Sequence, residues 1–110
     1  MKADELRLNN WVKAFGGYWN IDNTDFSNLE KIETYEFVPL TEELLLKCGF
    51  VKERYYYVKL ITPYKPFTLY KNNDKTWTLA DCNVDSALKY LHQLQNLYFA
   101  FTQKELEISL

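Results

Sequence analysis

The sequence predicts an α+β fold: an antiparallel sheet with one long C-terminal helix and one short central helix packed on it. Three observations lead there. Aromatic and β-branched residues alternate with polar ones in several short runs between residues 6 and 79. A capped, leucine-rich segment stands at residues 40–49. Apolar residues then recur at helical spacing from 84 to 101. A sheet with one apolar face needs a cover, and amphipathic helices supply it.

The strands come first. Residues 5–12 alternate through Leu6 and Leu8 to Trp11 and Val12, a strand with a ragged end. Gly16-Gly17 marks a turn. Residues 18–22 read as a second short strand, and residues 23–28 as a polar turn. Residues 32–38 read as a strand with Ile32, Tyr35 and Phe37 as its large groups, and Glu33 and Glu36 solvated.

Pro39-Leu40-Thr41 opens the short helix. Thr41 is a good N-cap, and Glu42 and Glu43 suit the positive end of the helix dipole. Leu40 and Leu45 form a hydrophobic staple, and Leu44, Leu45, Leu46 and Cys48 supply the buried side. Gly49 ends the helix in a left-handed conformation, with Phe50 folding back. So short a helix must dock on a sheet.

Residues 52–61 form the strongest strand signal. Tyr55, Tyr57, Lys59 and Ile61 share one face, and Tyr56, Val58 and Leu60 the other. The second set is more apolar and is the expected core face. Pro63 and Pro66 bracket a loop. Residues 67–71 and 75–79 form a hairpin around Asn72-Asn73-Asp74, with Phe67, Leu69, Trp77 and Leu79 facing in. Thr68, Tyr70, Thr76 and Thr78 face out.

Asp81 or Asn83 caps the long helix, expected from Val84 to about Phe101. Its apolar arc is wide, with Leu88, Leu91, Leu94 and Tyr98 among its members. Gln95 projects into that arc and needs partners, which strand or loop backbone would supply. His92 lies at the arc's boundary as a partly exposed, packing residue, flanked by Gln95 and Asn96. Thr102 to Glu105 matches a capping box, and residues 106–110 suit a short terminal strand.

The 110 residues make one domain by size, 1–110, and such a chain buries roughly 60–70 % of its extended surface. Aromatics reach 17 %, so a core or a face is rich in large flat side chains. A net charge of −2 gives no global attraction to nucleic acid or anionic membrane. The distribution is uneven. Residues 1–50 carry five basic and nine acidic groups, net −4; residues 51–110 carry eight basic and six acidic, net +2.

Cys48 and Cys82 are too few for a disulfide framework or a metal ligand set, and both sit beside apolar residues as expected buried thiols. The opening MKADELRL has no apolar run of signal length. No stretch approaches about 20 apolar residues. The expectation is a cytoplasmic protein with no membrane partner.

Catalytic patterns are missing. There is no phosphate-cradling glycine motif, no H-E-x-x-H, no C-x-x-C and no G-x-S-x-G. His92 lacks a carboxylate or nucleophile at helical spacing. No catalytic residue, metal ligand or cofactor is expected. Aromatic and basic residues do interleave at Tyr55, Tyr57, Lys59, Tyr70 and Lys71, which form the candidate interaction surface. His92, Gln95 and Asn96 are the polar residues in question, structural or functional.

The segments LRLNNWV (6–12), VPLTEELLLKCGF (38–50) and YLHQLQNLYFAFTQKELEI (90–108) together resemble a family of small uncharacterised proteins of Bacteroides and relatives, often in phage-like or other mobile-element contexts. They cover about a third of the chain. Family members often have glycine where Gln103 stands and tryptophan where Leu44 or Leu45 stands. The resemblance implies a source and no activity, cofactor or catalytic residue.

The leading expectation is therefore a non-enzymatic interaction or adaptor protein, of a mobile element or prophage, with a protein partner. The first alternative is a nucleic-acid-binding module that stacks bases on the tyrosines and touches phosphates with the lysines. The second is a small hydrolase, with His92 lining a pocket. No oligomeric state is read from the pattern.

Overall fold

Antiparallel strands and helices build an α+β chain, but the strands form two sheets instead of one. The computed structural model describes residues 6–14, 16–22, 25, 29–32, 34–62, 65–79 and 87–109. In chain order its elements are β1 (Trp11–Ala14), β2 (Gly17–Asn20), α1 (Leu29–Ile32), β3 (Glu36–Phe37), α2 (Glu42–Lys47), β4 (Val51–Lys52), β5 (Tyr57–Thr62), β6 (Lys65–Lys71), β7 (Trp77–Leu79) and α3 (Leu91–Thr102). Contacts gather into two units: Met1–Pro39 with Tyr90–Glu105, and Leu40–Lys89 with Leu106–Leu110. The expected polar turn at 23–28, apart from Asp25, the proline-63 end of the loop, Cys82, and the caps Asp81 and Asn83 lie outside the described residues.

The first unit holds a three-stranded sheet in the order β2-β1-β3. Val12 pairs with Trp19 on one side and Phe37 on the other. Leu6, Val12, Ile21, Ile32 and Tyr35 form a buried cluster, with Ala14, Trp19 and Phe37 packed against it. The first strand begins at Trp11, later than the alternation suggested. Asn9 takes a left-handed φ of 73° and turns the chain before it. Asparagine tolerates that region better than most residues. The expected strand at 32–38 is also shorter: Ile32 closes the helical turn α1, and only Glu36 and Phe37 pair.

Helix α3 belongs to this unit and starts seven residues after the predicted Val84. Residues 84–86 lie outside the described set, but Ala87 to Tyr90 are not helical. Leu88 and Tyr90 form isolated bridges instead, to Trp77 and Pro39, each within its own unit. Local apolar spacing could not distinguish a helix turn from an extended segment whose hydrogen bonds lie far away in sequence. Gln93 Oε1 then accepts from the Tyr90 N–H at 3.1 Å, satisfying one donor of the first turn. At the other end Gln103 takes φ 62° and its N–H bonds the Phe99 carbonyl. Thr102 therefore ends a helix; it does not cap a new one, and residues 105–109 form no strand.

The second unit holds a four-stranded sheet in the order β4-β5-β6-β7. The long strand expected at 52–61 is broken by a turn at 53–56, where the Glu53 N–H bonds the Tyr56 carbonyl at 2.8 Å. Pro66 lies within β6, opposite Leu60, and not in a loop. Phe67, Leu69, Trp77 and Leu79 are all buried on one face. Thr76 is buried in the β6–β7 turn, where its hydroxyl donates to Asp74 at 2.6 Å.

Helix α2 follows its local signals closely. Thr41 Oγ1 accepts from the Leu44 N–H at 3.3 Å, and Gly49 takes φ +89°. The Phe50 N–H returns to the Leu45 carbonyl, closing the C-terminal turn. Leu44, Leu45 and Cys48 are buried, but Leu46 is half exposed, on the opposite side of the helix from its expected place.

Candidate interaction surface

Strand pairing decides which side chains of the four-stranded sheet share a face. Tyr57 lies opposite Leu69, and Lys59 opposite Phe67. Both therefore belong to the face that carries the buried Phe67 and Leu69. Tyr57 is only 6 % exposed and meets the Trp77 ring edge-on at 5.1 Å. This reverses the facing expected from the sequence, where Tyr56, Val58 and Leu60 were the core set.

The reason lies in α2. Burial raises the Tyr57 hydroxyl pKa, and its hydrogen bond to the Glu42 carboxylate raises it further. That same bond, with the Lys52 ammonium 3.2 Å from Glu42, holds the Glu42 carboxyl below its ordinary range. Lys59 Nζ donates to the Cys48 carbonyl at 2.8 Å, at the negative end of the helix. The polar tips of Tyr57 and Lys59 are thus satisfied while their stems are covered. The Cys48 thiol beside this cap is buried and pushed up to about 12 by desolvation, so it is a poor nucleophile.

The opposite face carries Val51, Val58, Leu60, Pro66, Thr68, Tyr70 and Thr78, by the pairs Val51–Val58, Val58–Thr68, Leu60–Pro66 and Tyr70–Thr78. None of these seven is charged. Lys52, Lys59, Lys65 and Lys71 all fall in the other register. Leu60 is 63 % exposed, Val51 58 % and Tyr70 42 %. Tyr56 extends this face, its ring 5.9 Å from that of Tyr70.

The five residues proposed from sequence as one surface are therefore divided. Tyr70 lies on the uncharged face. Tyr57 and Lys59 lie on the covered one. Lys71 shares their register at an exposed position, its ammonium 6.0 Å from the Trp77 ring centre. Tyr55 is in the 53–56 turn, 75 % exposed, with the Arg54 guanidinium over its ring at 5.5 Å. The surface that was missed, around Leu60, had a signal in the sequence: an apolar set alternating with the lysines.

No protein-family model, curated protein or solved structure matches the chain. Chemistry must therefore be read from its own residues.

In the first unit, two of the three polar residues singled out on α3, Gln95 and Asn96, have structural partners. Gln95 Oε1 accepts from the Trp11 N–H at 2.9 Å and its Nε2 donates to the Asn9 carbonyl at 3.0 Å. Asn96 Oδ1 accepts from Asn10 Nδ2 at 2.9 Å and Arg7 Nε at 3.0 Å. The Arg7 guanidinium also grips the Glu105 carboxylate and lies over the Phe99 ring at 4.5 Å.

His92 differs from its expected, partly exposed place. It is 1 % exposed, stacked against Tyr90 with centroids 5.8 Å apart and packed against a tilted Phe37 ring at 4.4 Å. Neither ring nitrogen meets a hydrogen-bond partner among the described residues. Burial alone lowers its pKa to about 4. A neutral imidazole sealed from solvent cannot exchange a proton with a bound substrate.

An open groove of about 580 Å³ lies along Lys13, Ala14, Gly16, Gly17, Tyr18, Thr34 and Glu36. His92 does not line it. Among the described residues, no group of three or more His, Cys, Asp or Glu side chains is placed to hold a metal ion. No helix among them is long and apolar enough to cross a membrane.

Proposed function

We propose that the protein is a cytoplasmic, non-enzymatic interaction module whose contact surface is the uncharged face of the four-stranded sheet. One observation carries this reading: β5 leaves Leu60 63 % exposed beside the half-buried Val58 on its more apolar side, and buries Tyr57 on the other. Isolated exposed apolar residues are ordinary, but a contiguous uncharged set on a regular face marks a contact site. Tyrosine at 56 and 70 adds the aromatic character that interfaces favour. The resemblance of residues 38–50 and 90–108 to small mobile-element proteins supports an adaptor serving such an element. The buried free thiol of Cys48 suits a reducing compartment.

Nucleic acid is a poorer occupant. The lysines that would meet phosphates point away from the exposed tyrosine face.

The test is photo-crosslinking in cells from a benzophenone side chain at position 60, compared with position 46 on α2, which is also exposed. A discrete adduct from 60 and none from 46 supports the reading. Equal labelling from both, or none from either, overturns it.

A further inference from the structure

We infer that the outer face of the three-stranded sheet carries a binding site for a small zwitterion, of the class of a free α-amino acid with an apolar or aromatic side chain. The site lies wholly within the first unit and is independent of the interaction reading above. Strand register builds it. Lys13 pairs with Tyr18 on one side and Glu36 on the other, so the three side chains form one row across β2, β1 and β3. Val12, Trp19 and Phe37 take the alternate register and belong to the core side. The row is therefore on the face turned away from the core, and all three of its members are exposed.

The groove of about 580 Å³ runs along this row, bounded further by Ala14, Thr34, Gly16 and Gly17. Gly16 takes φ +79°, a conformation that L side chains rarely adopt, and with Gly17 it lines the turn end of the groove with main chain alone. The volume falls within the range of small-molecule sites, about 300–1,000 Å³.

Charge selects the ligand. Residues directly opposite on neighbouring strands have Cβ atoms about 5 Å apart. An ammonium and a carboxylate so placed are within reach of each other, yet neither the Lys13 nor the Glu36 side chain forms an ion pair or hydrogen bond among the described residues. Both line the groove as uncompensated charges of opposite sign. A purely anionic ligand gains from Lys13 and is repelled by Glu36, and a cationic one meets the reverse. A molecule with both charges on one carbon gains from each, its carboxylate toward Lys13 and its ammonium toward Glu36. Tyr18, 45 % exposed, offers an aromatic ring beside them for an apolar or aromatic side chain. The groove is open and its charges are screened by water and salt, so binding is weak, with a dissociation constant on the order of 1 mM.

Titration of the isotope-labelled chain, followed by its amide NMR shifts, tests this with three probes that share one ring. L-Phenylalanine carries both charges, phenylacetate lacks the ammonium, and phenethylamine lacks the carboxylate. L-Phenylalanine should shift the amides of Lys13, Gly16, Gly17, Tyr18 and Glu36 along one saturating curve, and each single-charge probe should bind at least about tenfold more weakly. This comparison on the wild-type chain needs no variant. Lys13→Met should erase the advantage of L-phenylalanine over phenethylamine, and Glu36→Gln its advantage over phenylacetate. Both positions are exposed, so the amide pattern elsewhere should stay unchanged. No saturating shift with L-phenylalanine up to about 20 mM, or equal binding of all three probes, overturns the inference. So does a preference that survives both substitutions, or shifts confined to the four-stranded sheet.

Discussion

Gln95 on α3 accepts the main-chain N–H of Trp11 at 2.9 Å, and this one side chain fastens the helix to the start of β1. The same amide donates to the Asn9 carbonyl. Gln95→Leu preserves the apolar packing but leaves both backbone groups without their partner. The expected cost is about 2–6 kcal/mol, from roughly 1–3 kcal/mol for each of the two unsatisfied groups. Gln95→Glu keeps an acceptor for Trp11 and loses the donor to Asn9, so it too destabilises despite its matching shape. Urea unfolding of both variants checks this; a neutral Gln95→Glu would contradict the bonding pattern.

His92 makes stability depend on pH. Its folded-state pKa is lowered to about 4 from an ordinary 6.5. The unfolded chain therefore binds the proton more readily between those values. Stability from this group is complete above pH 6.5 and is lost as pH falls toward 4, by up to about 3 kcal/mol. His92→Phe keeps a ring against Phe37 and Tyr90 and removes the titration. The melting temperature of that variant should lose the decline between pH 6.5 and 4, and an unchanged decline would show that another group causes it.

Asp25 contributes a second acid limb. Burial alone would raise its carboxyl pKa, but the Asp22 N–H, the Tyr35 hydroxyl and the Trp19 indole together outweigh burial and hold it below the ordinary range. They approach at 2.9, 2.5 and 3.0 Å. The sign follows from a depressed folded-state pKa: the stability is present above the unfolded value near 3.8 and is lost as pH falls below it. Asp25→Asn puts a donor where only acceptors fit, and should cost about 2–4 kcal/mol at neutral pH. Tyr35→Phe removes one donor only, and should cost about 1–2 kcal/mol. The order of the two, by chemical denaturation, is the check.

Gly49 and Lys59 form a unit at the end of α2. A Cβ at Gly49 would come within 2.7 Å of Lys59 Nζ, and the backbone there is left-handed at φ +89°. Gly49→Ala should lose about 1–2 kcal/mol, from backbone strain together with displacement of the lysine from the Cys48 carbonyl. In the Lys59→Met background the steric part disappears, so the Gly49→Ala cost should shrink. Additive costs in the double variant would mean that the two residues do not meet.

These residues also show where sequence reading succeeds. Helix α2 was readable because Thr41, Glu42 and Gly49 act through bonds a few residues long. The hairpin of β6 and β7 was readable because Phe67, Leu69, Trp77 and Leu79 alternate cleanly. The facing of β5 was not. Its buried side holds Tyr57 and Lys59, which tolerate that place only because Glu42 and Cys48 satisfy them from another element. Likewise Leu88 and Tyr90 have helical spacing, yet Trp77 and Pro39 draw them into extended bridges. For His92, a position at the edge of the helical arc could not reveal that Phe37 would cover it.

On the function proposed above, β5 leaves Leu60 in solvent for contact and not for folding. Comparing the unfolding free energies of Leu60→Thr and Leu69→Thr at low protein concentration tests it most directly. Leu69 is fully buried and Leu60 is 63 % exposed. The prediction is a change within about 0.5 kcal/mol for Leu60→Thr and a loss of about 2–4 kcal/mol for Leu69→Thr. Equal losses at both positions would mean that the Leu60 face is covered within the folded chain, and no partner could use it.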